Sequence, residues 1–570
     1  MLTPLRNSLV ERTGRERARI LCDDGTFKEL LGPFDEMESP HLVQQGIVPQ
    51  SDDGVIIAKG KLNGQQILVI SIEGNFQGGG IGEVSGAKIA GALELALKDN
   101  KAGMSIYPIF IFDTGGVRLQ EANYGLLSIA EIGSAIVELR TFVPVIGIIP
   151  GKIGAFGGMS ITAGLCSALI MTREGRLGLN GPEVIEQEAG IRELDSMDRL
   201  KIWNSIGGKQ RVAAGFAEII MEDDAQMIMD AILSIIKKGI KMTPKSSQVK
   251  RYLTFLGLVE PSLPLSPEEV IKLWGQTEDS FSIDQQTLQK DEKHIKSEGS
   301  KRTSRGGKWF HLLTNEADNT GEIPSVLCAD SFIGNKPTRF LAIVPNEINR
   351  FPRARSGEFG LEEGWMLAKH IREAIEEDQH GEKRAIVAIV DVPGQAYGYR
   401  EELLGIHQAC AAAVDAYASA RLAGHPIIGF IPGKAISGAF LSHGLQANRL
   451  LALDDEGVNV HVMSKQSAAR ITQRSLAELE EATKKVPAMA YDIQSFKKIG
   501  SLFELITKVN ANNPGNEDRQ VIIKKIMNAI EDIENNPRDL SNRLTLSDDA
   551  KPHGRSASIL VRQRLEEQWD

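Results

Sequence analysis

The 570-residue sequence predicts an α/β protein built from two similar layered units in tandem. Three observations carry that prediction. Short β-branched runs at 66–72, 106–112 and 144–149, then at 385–390 and 426–431, alternate with longer helical segments at 84–98, 128–140, 362–377 and 403–422. Strands alternating with helices pack as βαβ layers. Two motifs also recur in the same order. Ile149-Pro150-Gly151-Lys152 returns as Ile431-Pro432-Gly433-Lys434, an offset of 282, and Phe112-Asp113-Thr114-Gly115-Gly116 has its counterpart in Val390-Asp391-Val392-Pro393-Gly394, an offset of 278. Residues 284–307 are nearly free of large apolar side chains and cannot bury a core, so a flexible tether is expected there. The boundaries follow: a first unit at 1–283, the tether at 284–307 and a second unit at 308–570.

Composition narrows the function. Hydrophobic residues are 42% and charged residues 25%, as in globular proteins. A net charge of −10 argues against a general nucleic-acid binder. Cys22, Cys166, Cys328 and Cys410 form no CxxC pair, which predicts neither a disulfide framework nor a zinc ribbon. The ten histidines show no HExxH or HxxxH spacing, so no metal is expected. The arginine-bearing N-terminus has no apolar core of a signal peptide, and no apolar run approaches the roughly 18 residues of a membrane span. A soluble cytoplasmic location is the expectation.

The chemistry is expected at the glycine-rich turns. Gly157 and Gly158 follow a strand and precede a helix-compatible run, which leaves amides unshielded at a helix start. Such amides suit an oxyanion hole, although close strand–helix packing needs the same small residues. Gly115 and Gly116 sit after another strand and suit the opposite wall. Ser437-Gly438-Ala439 occupies the matching place in the second unit. Lys152 and Lys434 are equivalent in the repeat and are either substrate-carboxylate attractors or solvated turn lysines. Arg118 reads as an anion anchor or a surface helix residue, and His443 as a proton shuttle or a structural histidine. Arg350, Arg353 and Arg355 suit a phosphate-bearing cofactor arm, an acidic carrier protein or an ordinary charged loop. Gln77 to Gly82 lacks GxGxxG spacing, and neither GxxxxGK[ST] nor G-x-S-x-G occurs.

These motifs resemble the carboxyltransferase branch of the crotonase superfamily. Phe76-Gln-Gly-Gly-Gly-Ile-Gly-Glu-Val-Ser-Gly-Ala-Lys88, Thr114-Gly-Gly-Val-Arg-Leu-Gln-Glu121, Ala155-Phe-Gly-Gly158 and Gly181-Pro-Glu-Val-Ile-Glu-Gln187 resemble the β subunit of biotin-independent malonate decarboxylase. Arg350-Phe-Pro-Arg-Ala-Arg355, Asp391-Val-Pro-Gly-Gln-Ala-Tyr-Gly398, Gly433-Lys-Ala-Ile-Ser-Gly-Ala-Phe440 and Gln446-Ala-Asn-Arg449 resemble its γ subunit. The chain reads as a β–γ fusion. The four-cysteine ribbon of the bacterial acetyl-CoA carboxylase β subunit is missing, which favours the decarboxylase over that carboxylase, while other biotin-dependent carboxyltransferases also lack the ribbon.

The resemblance implies two crotonase-like, ββα-superhelix domains with a pocket between them. It implies release of CO2 from a malonyl thioester on an acyl carrier protein with a phosphoribosyl-dephospho-CoA arm, and no tightly bound cofactor. A malonyl/acetyl transferase subunit loads the carrier, and a homo-oligomer is expected. By motif position, Gly157 with Gly158 forms one oxyanion hole and Gly438 with Ala439 the other. Rival readings are a biotin-dependent carboxyltransferase, an enoyl-thioester hydratase, which needs two convergent glutamates, and a non-catalytic carrier-binding scaffold.

Overall fold

The computed structural model describes residues 7–279, 304–545 and 554–570. The first unit holds one seven-stranded sheet in sequence order: β1 (Lys28–Leu30), β2 (Val55–Leu62), β3 (Gln65–Ile72), β4 (Tyr107–Ile111), β5 (Ile146–Ile149), β6 (Ala168–Thr172) and β7 (Ile219–Met221). The first three strands pair antiparallel and the rest parallel. The second unit contains β8 (Val326–Ile333), β9 (Lys336–Ile343), β10 (Ala385–Ile389), β11 (Ile427–Ile431), β12 (Lys434–Ile436), β13 (Arg449–Leu453), β14 (Asn459–His461) and β15 (Glu504–Ile506). Its main sheet again opens on an antiparallel hairpin, β8–β9, and continues parallel through β10, β11, β13 and β15. Strands β4, β5, β10 and β11 are apolar on both faces, as parallel strands covered by helices must be.

The repeat extends to single contacts. The bridge between Ile81 and Val117 returns as Phe359 with Gln395, and 359 minus 81 and 395 minus 117 are both 278. The bridge between Thr114 and Ala155 returns as Val392 with Ala435. In the first unit, α1 (Glu83–Lys101), α2 (Ala122–Leu139), α3 (Gly157–Leu165) and α4 (Val249–Leu258) cover the sheet and its ends. Their counterparts in the second are α5 (Leu361–Glu377), α6 (Ile406–Leu422), α7 (Ser437–Ser442) and the C-terminal α8 (Ser556–Gln568).

The two units meet along α2 and α3 against α6 and α7, with one apolar core running through both. Buried polar pairs fix the approach: Gln446 Nε2 donates to the Ala130 carbonyl at 2.8 Å, Gln408 Nε2 to that of Gly164 at 3.1 Å, and Arg140 pairs with Asp415 at 2.8 Å. The units also exchange their last helices. Helix α4 of the first unit packs on α5, where Tyr252 stacks on Trp365 with ring centroids 4.4 Å apart. Helix α8 returns to α1, and its Arg555 and Arg562 close on Glu131 at 2.8 and 2.9 Å.

Two boundaries change as a result. Residues 554–570, expected in the second unit, pack on the first. The last four residues of the expected tether begin a helix instead: Ser304 caps Arg305–Thr314, its hydroxyl accepting the Gly307 amide at 3.1 Å. Positions 284–303 lie outside the described residues. Among the described residues no helix is long and apolar enough to cross a membrane.

Candidate functional site

A cavity of about 590 Å³ opens between the two units, walled by glycine loops from both. In the first unit, Asp113 joins the loops after β4 and β5. Its carboxylate accepts the Ile153 amide at 2.8 Å and pairs with buried Arg17 at 2.9 Å. Most amides of these loops are spent on shaping them. Gly115 N–H donates to the Gly78 carbonyl at 2.8 Å, Gly116 N–H to Thr114 Oγ1 at 3.0 Å, and Gly157 N–H to the Leu179 carbonyl at 2.9 Å. The amides of Val117 and Gly158 have no hydrogen-bond partner among the described residues, and both residues line the cavity. Gly158 also stands in the first turn of α3, whose dipole favours negative charge there.

The unpaired amides on the wall of the first unit are therefore those of Val117 and Gly158, whereas the Gly157 amide, expected beside Gly158, is taken by Leu179. Gly115, Gly116 and Gly157 set the shape of that wall. Gly116 has φ 106° and Gly157 φ 54°, and a Cβ on Gly116 would stand 3.0 Å from the Gly157 Cα. No L-residue side chain fits that crossing.

The second loop repeats the backbone and leaves the Gln395 amide, counterpart of that of Val117, without a partner among the described residues, but its other amide is taken. The Gly438 amide donates to Gln395 Oε1 at 3.1 Å. Gln395 Nε2 in turn donates to Asn180 Oδ1 at 2.8 Å, and Asn180 Nδ2 to Glu402 Oε1 at 3.0 Å. Glu402 also accepts the Leu179 and Asn180 amides, so this chain of contacts ties both units. Gln395 corresponds to Val117 in the repeat, so the residue that opens the first hole fills the second. Ala439, expected beside Gly438, is wholly buried and off the cavity wall.

Ser437 does reach the wall, held at φ 61° where its counterpart is Gly157. A left-handed non-glycine residue costs on the order of 1–3 kcal/mol, a sign of local constraint. Beside it Tyr397 lines the cavity, and burial pushes its phenol well above the ordinary range.

The remaining candidates separate. Lys152 stands at the wall and is exposed, and Arg176 next to it donates to the Lys152 carbonyl at 2.6 Å. Lys434 is exposed and off the wall. Arg118 touches the wall, but its guanidinium is 2% exposed and held by Asp53 at 2.6 Å and Glu121 at 2.8 Å, so it has no freedom to anchor a ligand. His443 is fully buried between the Tyr417 hydroxyl at 2.9 Å and the Ile389 carbonyl at 3.0 Å. Burial pushes its imidazole down to about 4, so it is neutral and remote from the cavity. Arg350 donates to the Val259 and Leu256 carbonyls at the end of α4 at 3.0 and 2.6 Å, which makes it a tie between units. Arg353 pairs with Glu193 at 3.0 Å, Arg355 donates to the Asn349 carbonyl at 3.0 Å, and none of the three lines the cavity.

Sequence reasoning missed Val117, Gln395, Tyr397 and Asn180. Gln395 and Tyr397 stand inside the Asp391-to-Gly398 motif, which was the available signal.

Residues 9–271 match the carboxyl transferase domain family, and residues 354–569 match the malonate decarboxylase gamma subunit family. The malonyl-S-ACP:biotin-protein carboxyltransferase MADC of Malonomonas rubra is 38% identical over 47% of this chain and 88% of its own length. MADD of the same organism is 38% identical over 33% of this chain and 66% of its own length. A solved Pseudomonas malonate decarboxylase hetero-tetramer in complex with malonate is 51% identical, covering 47% of this chain and 98% of that one, with a TM-score of 0.47. The chain belongs to the carboxyl transferase family of malonate decarboxylases, with a carboxyl transferase unit and a gamma-type unit in a single polypeptide.

Proposed function

We propose that this chain decarboxylates a malonyl thioester carried on an acyl carrier protein, releasing CO2 and leaving the acetyl thioester. Loss of CO2 moves two electrons onto the α carbon, and the resulting enolate places its charge on the thioester oxygen. The unpaired amides of Val117 and Gly158 on the cavity wall are the donors that would hold that oxygen. Such preorganised donors in a sheltered site are worth roughly 3–4 kcal/mol each at the transition state. No nucleophile is needed.

The single observation that carries release of CO2, as against its transfer to biotin, is the Gln395 side chain on the Gly438 amide. A second hole open to a ureido oxygen would need that amide vacant. MADC and MADD are described as biotin-protein carboxyltransferases, so transfer to biotin is the competing reading. Lys152 and Arg176 form a cationic rim suited to the phosphates of a phosphoribosyl-dephospho-CoA arm. The partners in this reading are the carrier protein and the malonyl/acetyl transferase that loads it, with further copies of the chain itself.

The test is incubation of the purified chain with malonyl-loaded carrier, with and without biotin. Stoichiometric CO2 and acetyl carrier in both cases support the reading. CO2 that appears only with a biotinyl acceptor overturns it.

A further inference from the structure

The repeat makes two loops of the same backbone course face one cavity, so the wall positions where they differ report a division of labour. Three of the paired positions at which both residues line the cavity differ in residue type. Val117 becomes Gln395, Leu119 becomes Tyr397 at the same offset of 278, and Gly157 becomes Ser437. The first loop presents vacant amides and no hydroxyl. The second has its Gly438 amide filled and presents two hydroxyls.

Resting on the proposed reaction, we infer that Tyr397 is the acid that protonates the α carbon of the enolate, with Ser437 as its proton partner. The two side chains line the same cavity wall. The bend that holds Ser437 at φ 61° is occupied by glycine in the first unit, so a hydroxyl is kept here against backbone cost. Gln395, two residues before Tyr397, is pinned by Gly438 and Asn180, which fixes the segment that carries the phenol. The other buried titratable groups nearby are engaged elsewhere: Arg118 by Asp53 and Glu121, and Glu402 by the Leu179 and Asn180 amides.

The step balances simply. The enolate carbon takes the phenolic proton as its electron pair forms the new C–H bond and the thioester carbonyl is restored. The phenolate regains a proton through the Ser437 hydroxyl from water at the cavity mouth, and the hydroxide left over combines with CO2 as bicarbonate. The half-buried phenol, its proton affinity raised by desolvation, stays protonated across the working range, yet it remains a far stronger acid than a thioester methyl group.

The test uses the full chain and acetyl-loaded carrier in D2O, where deuterium entering the acetyl methyl group reports α-proton transfer without any decarboxylation. Wild type is expected to exchange. In Tyr397→Phe exchange is expected to fall roughly 10²–10⁴-fold, the range for loss of a general acid, with KM for malonyl carrier unchanged. Ser437→Ala, which keeps the phenol, is expected to slow exchange about tenfold. Wild-type exchange in both variants overturns the inference, as does a rise in KM that accounts for the whole loss in Tyr397→Phe. A wild-type chain that neither exchanges nor releases CO2 overturns the proposed function instead.

Discussion

The Gly438 amide donates to Gln395 Oε1 at 3.1 Å, while the equivalent Gly158 amide has no partner among the described residues. One fold repeated twice thus gives one loop with both wall amides unpaired and one whose Gly438 amide is taken by the protein's own carboxamide. Gln395→Ala empties the second hole. Its Gly438 amide then faces the cavity unpaired and Asn180 Oδ1 loses its donor. The variant is expected to acquire measurable transfer of CO2 to free biotin, read as carboxybiotin formed from malonyl carrier, where wild type forms none. No gain in the variant counts against the filled hole as the barrier to biotin.

Gly158 is boxed in. A Cβ there would stand 2.9 Å from Ile129 Cδ1 and from Leu441 Cδ1, one residue from each unit. Gly158→Val is expected to cost about 1–3 kcal/mol in stability through overpacking and to lower CO2 release by roughly 10²–10³-fold as the amide is displaced. At Gly438 the nearest atoms lie at 3.4 Å, so Gly438→Ala meets only ordinary contact. Stability measured by denaturant titration beside the CO2 rate separates the two sites. Equal losses in both variants contradict the asymmetry.

Helix α8 is held to the first unit by charge. Glu131 lies between Arg555 and Arg562, and its carboxyl is lowered to about 2 by those two guanidiniums acting against its burial. A depressed carboxyl stabilises the fold above its unfolded value and loses that contribution as pH falls through the folded one. Stability from this group is therefore complete above about pH 5 and lost between there and pH 2, on the order of 3 kcal/mol. Hydrogen exchange of residues 556–568 is expected to accelerate in that window. In Glu131→Gln the same residues are expected to be less protected at neutral pH and to show a flatter acid response.

The layered fold was readable because its signals are local. The runs at 106–112 and 385–390 are apolar at every position that two covered faces require, and the turns ending β5 and β11 share Ile-Pro-Gly-Lys. The site was readable only as a neighbourhood. Which amide of Gly115, Gly116 and Val117 stays vacant depends on the bridge to Ile81, some 36 residues upstream. For His443 the sequence left proton shuttle and structural histidine both open, and its partner Tyr417, 26 residues away on α6, decides for the structural one by occupying its ring nitrogen. The return of α8 depends on pairing across more than 420 residues, which no local pattern encodes.

Arg118 gives the sharpest contrast between the two kinds of reading, since the sequence offered an anion anchor or a surface helix residue and the structure shows neither exposure nor a free guanidinium. Its guanidinium instead neutralises Asp53 and Glu121 in the protein interior and lies 5.1 Å from the Phe76 ring centroid. Removing one member of a buried ionic cluster leaves the others uncompensated, typically at a cost of 3–5 kcal/mol. Arg118→Met is therefore expected to lower the unfolding midpoint strongly. The protein that remains folded is expected to keep its KM for malonyl carrier within about twofold, because no substrate contact has been lost. A KM raised tenfold or more with stability intact would return Arg118 to the substrate and require the Asp53–Arg118–Glu121 cluster to open during binding.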